Sequence, residues 1–223
     1  MFKTISFKLI AGMSALALLA ACAAPAGHTD YTAFRKSQPR SILVLPPANE
    51  TADANATFGL LAQMTKPLAE SGYYVVPVAV MEETFKQNGL TVPAEIQAVP
   101  AAKLRSIFGA DAALYTTITK YGSVYRVVDS NTVVTASAKL VDLKTGDMLW
   151  QGSASATGKE VGLNVGVGGG LIGTLVQAAA KQMAHNLSDE SSAVAALTSQ
   201  KLLSAGPPNG LLYGPHSPKY GTD

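Results

Sequence analysis

The hydrophobic pattern of the chain changes character several times, and each change marks an element. Leu9 to Ala21 is an uncharged run rich in Leu and Ala. Ser41-Ile42-Leu43-Val44-Leu45 is a short continuous apolar run closed by Pro46-Pro47, which predicts a strand buried on both faces. Leu60, Leu61, Met64 and Leu68 then recur at helical spacing. Asp53 and Asn55 are the predicted caps of that helix, Pro67 is expected to kink it or start a new turn, and Ser71-Gly72 to end it. Tyr73-Tyr74-Val75-Val76 is β-branched and aromatic and predicts a second strand. Val80 to Asn88 reads as a helix stopped by Gly89. Pro93 and Pro100 open two short helical pieces, the second with Leu104, Ile107 and Phe108 apolar.

After Gly109-Ala110-Asp111 the period switches to two. Ala113 to Val127, Thr132 to Leu143 and Met148 to Ala156 predict a three-strand meander. Asp129-Ser130-Asn131 is expected to join the first pair, and Lys144-Thr145-Gly146-Asp147 the second, with Gly146 left-handed. Trp150 falls in the third strand as a core anchor. In the first strand, Tyr115, Thr117, Thr119, Tyr121 and Tyr125 share one parity, and Leu114, Ile118 and Val124 share the other. A glycine-rich segment, Gly158 to Gly173, leads to a helical region from Leu175 to Leu203. The order β-α-β-α-β-β-β predicts an α+β fold: a mixed sheet with helices on one or both faces and C-terminal helices. Residues 41–203 form the expected single domain. Residues 22–40 are the expected tether, and the Gly- and Pro-rich segment 204–223 the expected flexible tail.

The first apolar run has a different meaning. Lys3 and Lys8 precede it and small residues follow it, which is the layout of a secretory signal. It is too short to span a bilayer, which takes about 20 apolar residues. Its end, Leu19-Ala20-Ala21-Cys22, resembles the bacterial lipobox. That resemblance implies cleavage after Ala21, a diacylglycerol on the Cys22 thiol and an acylated new amino terminus. Cys22 is the only cysteine, so the chain makes no internal disulfide. Ala23 stands where enterobacterial lipoproteins retained on the inner membrane carry aspartate, which implies an outer-membrane destination. The full chain has 17 basic and 15 acidic residues, but two of the basic ones are Lys3 and Lys8. The mature chain is therefore balanced, without the electrostatic footprint of a nucleic-acid binder.

Several segments recur together in one family: Ile42-Leu43-Val44-Leu45-Pro46-Pro47-Ala48-Asn49, Pro67-Leu68-Ala69-Glu70-Ser71-Gly72-Tyr73-Tyr74-Val75, Gly109-Ala110-Asp111-Ala112, and Val141-Asp142-Leu143-Lys144-Thr145-Gly146 followed by Trp150. In this order they resemble the bacterial lipoproteins typified by a neisserial surface-antigen lipoprotein. The broader pattern is similar to the curli-secretion lipoprotein superfamily and to the N-terminal domain of the Tol-system propeller protein. The resemblance implies a fold and an envelope location. It does not carry an activity, and the long membrane-inserting hairpins of the curli pore have no clear counterpart here.

A search for chemistry returns near misses. Gly168-Gly169-Gly170-Leu171-Ile172-Gly173 matches G-x-G-x-x-G but follows the meander instead of opening a βαβ unit. Gly152 to Lys159 misses the phosphate-loop spacing by one, with Glu160 in place of Ser or Thr. His28, His185 and His216 are scattered, without zinc-ligand spacing. Glu82 and Glu83 are adjacent, so they diverge on a helix. No catalytic site, cofactor or metal is expected. The positive feature is the face of Tyr115, Thr117, Thr119, Tyr121 and Tyr125, a candidate interface. The resulting expectation is an outer-membrane lipoprotein facing the periplasm. It would scaffold other envelope proteins without catalysis and could pair with itself as a homodimer. The rival reading, motivated by Gly158–Gly173, is a transport component handling lipid or polypeptide.

Overall fold

The computed structural model describes residues 29–126, 129–164 and 187–223; Cys22 and the signal lie outside them, as do residues 165–173 of the glycine-rich segment. The chain enters through a short helix α1 (Thr32–Ser37) and then forms β1 (Ser41–Val44) and β2 (Ala48–Asn49). Helix α2 (Ala56–Glu70), β3 (Tyr74–Val75), and helices α3 (Val78–Gln87), α4 (Pro93–Gln97) and α5 (Ala101–Phe108) follow. The second half is β4 (Ala112–Lys120), β5 (Ser123–Arg126), β6 (Asp129–Asp142), β7 (Met148–Thr157), α6 (Gly158–Asn164) and α7 (Leu187–Leu203). The fold is α+β, as the pattern of periods predicts.

Among the described residues the sheet has seven strands in the order β3-β1-β4-β6-β5, with β2 on β4 and β7 on β6. β1 is parallel to β3 and β4, whereas β4, β6 and β7 are antiparallel. Right-handed crossovers place α2, between β1 and β3, opposite α3–α5, between β3 and β4. Helix α7 packs on α2, β6 and β7 and so shares the α2 side. Strand β1 is therefore sandwiched, and Ile42, Leu43, Val44 and Leu45 are all buried. From Thr132 on, β6 buries alternate residues: Thr132, Val134, Ala136, Ala138 and Leu140, with Asp142 at its end. Pro67 lies inside α2 near its end, and the helix continues to Glu70 as one element.

Three expectations about the periphery are corrected. First, the segment expected to be only tether contains α1, whose Phe34 is 2% exposed in the core. The Ser37 hydroxyl donates to the Asp142 carboxylate and pins α1 to the meander. Second, the segment expected as a loose tail is packed. The Ala205 amide donates to Ser71 Oγ, and the Gly214 and His216 amides donate to the carbonyls of Ser71 and Gly72. Tyr73 Oη donates to the Leu212 carbonyl, and Leu211 is fully buried. Main-chain bonds and single apolar side chains hold this segment, so it needs no periodicity. Third, Asp129–Asn131 do not form the connection between strands: they belong to β6, where Asp129 pairs with Arg126, Ser130 with Tyr125 and Asn131 with Val124. At the next turn Gly146 adopts φ +81°, as expected, where a side chain would clash with its own backbone.

Candidate functional site

The two sides of the meander differ in cover. On the α7 side, Leu114 faces Leu140 and Trp150, Ile118 faces Ala136, and all are buried. On the other side, β4, β6 and β7 present two cross-strand rows, Tyr115-Lys139-Gln151 and Thr117-Ser137-Ser153. These residues border a shallow depression of about 570 Å³, closed at one end by Gln97 of α4. Gln97 is fixed there because its Nε2 donates to the carbonyls of Pro46 and Thr116, both at 2.9 Å. The Lys139 ammonium lies over the Tyr115 ring, 5.2 Å from its centroid. Partial burial raises the Tyr115 pKa, so the phenol stays a neutral hydrogen-bonding group at physiological pH. Further along, the Thr135 and Ser155 hydroxyls share a hydrogen bond of 2.8 Å.

Not every residue expected on this face is there. Tyr115 and Thr117 are, and both are partly exposed. Thr119 is exposed but lies at a bulge: Ile118 pairs with Ala136, and Lys120 pairs with Thr135, leaving Thr119 extra. One extra residue reverses which side each later residue faces. Lys120 therefore joins the open face, and Tyr121 turns to the helix side. There its ring packs against Gly59 of α2, leaving no room for a Cβ. Burial and the nearby Asp53 carboxylate raise the Tyr121 pKa. The side chain of Tyr125, in β5, lies outside the described residues. Sequence parity missed this reversal, because nothing in the type of Thr119 marks a bulge; Gly122, with φ +98°, lies past it, between β4 and β5. It also missed the residues that flank the tyrosine: Gln97, Lys139 and Gln151.

No group of three or more His, Cys, Asp or Glu able to hold a metal occurs among the described residues. Asp142 and Glu160, whose pKa values are lowered, are structural. Burial of Asp142 opposes its charge, but the Ser37 hydroxyl and the amides of Thr145 and Lys144 outweigh it. Glu160, in the first turn of α6, is held ionised chiefly by the Lys201 ammonium at 2.9 Å and by the Thr157 amide.

The family model described as "Putative lipoprotein GNA1162-like" matches residues 29–216, which includes the whole sheet and most of the packed C-terminal segment. The chain belongs to the GNA1162-like lipoprotein family. It is 49% identical over 208 residues to the Neisseria meningitidis serogroup B lipoprotein NMB1124/NMB1162, covering 93% of this chain and 95% of that one. Among solved structures, GNA1162 from Neisseria meningitidis is 51% identical, with a TM-score of 0.52 over 66% of this chain and all of its own. A PelC dodecamer from Paraburkholderia phytofirmans is 15% identical, with a TM-score of 0.42 over 73% of this chain and 88% of its own. Membership in the GNA1162-like family makes this chain one of a set of lipoproteins.

Proposed function

We propose that this protein is a membrane-anchored periplasmic lipoprotein of the outer membrane. It binds other envelope proteins, without catalysis, in an assembly or secretion apparatus. The acylated Cys22 supplies the location. The observation that carries the binding reading is the half of the sheet that no described residue covers. α3–α5 cover β3, β1 and the start of β4, and the face then opens onto Tyr115, Thr117, Ser137, Lys139, Gln151 and Ser153. A neutral tyrosine beside a lysine, ringed by short hydroxyl side chains, offers apolar area and hydrogen bonds at little entropic cost.

The test is a detergent pull-down of the tagged protein from its own membranes, comparing the wild type with Thr117→Glu and Ser137→Glu. Both substitutions place a carboxylate on the open face without touching the core. Co-purifying envelope proteins that are lost from both variants support the reading. The same partners recovered undiminished from both would remove this face from the interface.

A further inference from the structure

The start of the described chain is held in one place. The Thr29 amide and hydroxyl both donate to Asn209 Oδ1, at 3.4 and 3.3 Å. Two residues on, Tyr31 Oη donates to the Gly210 carbonyl at 2.6 Å. Asn209 is itself pinned, since its carbonyl accepts the buried Trp150 indole N–H at 2.9 Å. A continuous set of contacts thus runs from the core through Trp150 and Asn209 to Thr29. Thr29, Met148, Pro207, Pro208 and Asn209 line one groove of about 960 Å³ at this end of the molecule.

Only the residues from Cys22 to His28 separate the lipid-bearing position from Thr29. Fully extended, they span at most about 25 Å. Thr29 therefore stays within that distance of the anchor. The sheet gives this end a direction. Met148 pairs with Val141 beside the Thr29 groove, and Thr132, farther along β6, pairs with Ser123. Nine residue steps of strand lead from Thr132 to Val141, about 30 Å. Around the groove the surface suits a lipid headgroup layer. Met148 is an apolar side chain left 52% exposed, and both signs of charge stand around it, the exposed cation Lys144 and the exposed carboxylates Asp30 and Asp147, as a zwitterionic headgroup layer can accept.

Resting on the reading of Cys22 as the lipidated residue, we infer that the groove bordered by Thr29, Met148 and Asn209, with the β6–β7 turn, lies against the anchoring phospholipid bilayer. The β5 end of the sheet points away from it. The Tyr115–Thr117 face then stands along the side of the domain, open to a partner approaching parallel to the membrane.

The experiment uses the full-length acylated protein in vesicles of phosphatidylethanolamine and phosphatidylglycerol that contain a headgroup-nitroxide lipid. Acylation blocks the native thiol, so Asp147→Cys or Ser123→Cys provides one site for a fluorophore. Both positions are exposed and neither side chain holds the fold. Vesicle flotation reads the anchor, and fluorescence quenching reads the orientation. The expected result is flotation of both proteins, with the label at 147 quenched several-fold more than that at 123. Flotation with equal quenching, or stronger quenching at 123, overturns the orientation and leaves the anchor standing. Protein that does not float, with no acyl mass on its N-terminal peptide, overturns the anchor and the orientation with it.

Discussion

The two halves of the sheet are built from the same backbone geometry but under different cover. β1 lies between α2 on one side and α3–α5 on the other, and its apolar run is unbroken from Ile42 to Leu45. Among the described residues β6 and β7 are covered by α7 on one side only, and their residues alternate. Val134, Ala136, Ala138 and Leu140 are buried, while Ser137 and Lys139 are exposed. The run of hydrophobicity thus reports the number of covered faces, as parallel and antiparallel strands demand. The difference also separates tasks: the sandwiched half stabilises the domain, and the half-covered part has side chains to spare for contact.

The largest effects should confirm this division. Leu114→Ala is expected to cost about 2–5 kcal/mol, and Trp150→Ala about 3–5 kcal/mol, in denaturant unfolding. Trp150→Ala should also loosen Asn209 and the Thr29 exit, seen as faster amide exchange at Gly210 and Leu211. On the open face, Ser137→Ala should stay within about 0.5 kcal/mol of the wild type. A cost at Ser137 approaching that at Leu114 would mean that something covers this face.

The bulge at Thr119 can be tested next. Gly59→Ala would ordinarily stabilise a helix by about 0.5–1 kcal/mol. Here the new methyl meets the Tyr121 ring, so a destabilisation of about 1–3 kcal/mol is expected. In a Tyr121→Ala background the same change should turn neutral or stabilising. A double-mutant cycle without coupling would return Tyr121 to the open face.

The periphery depends on fewer, more polar contacts. Asp142 accepts bonds from Ser37 and from the amides of Lys144 and Thr145, so it joins α1 to the β6–β7 turn. Asp142→Ala is expected to cost about 1–3 kcal/mol through those stranded donors. Its carboxyl titrates below the unfolded value of about 3.9. The contribution is therefore complete above the unfolded pKa and is lost as pH falls through the folded one. Stability measured from pH 6 to pH 2 should fall less steeply in the variant than in the wild type. Parallel curves would remove Asp142 as a source of acid sensitivity.

These regions also differ in how far their residues announce them. The strand at Ile42–Leu45, the one-sided helix with Leu60, Leu61, Met64 and Leu68, and the turn at Gly146 rest on periodicity or backbone sterics, which are local properties. The packing of α1 and of residues 205–216 is not local. It rests on Phe34 entering the core and on amides that find carbonyls more than a hundred residues away, at Ser71 and Gly72. Gly- and Pro-rich composition conceals such an arrangement. For the candidate face, alternation located Tyr115 and Thr117, but the bulge lies at a residue, Thr119, whose type carries no turn signal.

The smallest expected change in stability is the most informative about function. Tyr115 and Tyr121 are both tyrosines of one predicted strand, and both are partly buried, yet they face opposite sides. Tyr115→Ala removes a ring that packs at the edge of the core and lies under the Lys139 ammonium, the latter contact worth about 0.5–1 kcal/mol. Tyr121→Ala empties space against α2 and should cost about 1–3 kcal/mol. If the open face is the interface, the ranking inverts when partner capture from membranes is measured. Tyr115→Ala then loses the partner at nearly native stability, and Tyr121→Ala keeps it while melting earlier. Equal capture by both variants would remove Tyr115 from the contact. Equal loss would mean that capture does not distinguish the two faces, because the two tyrosines are alike in side chain and in partial exposure but not in the side on which they stand.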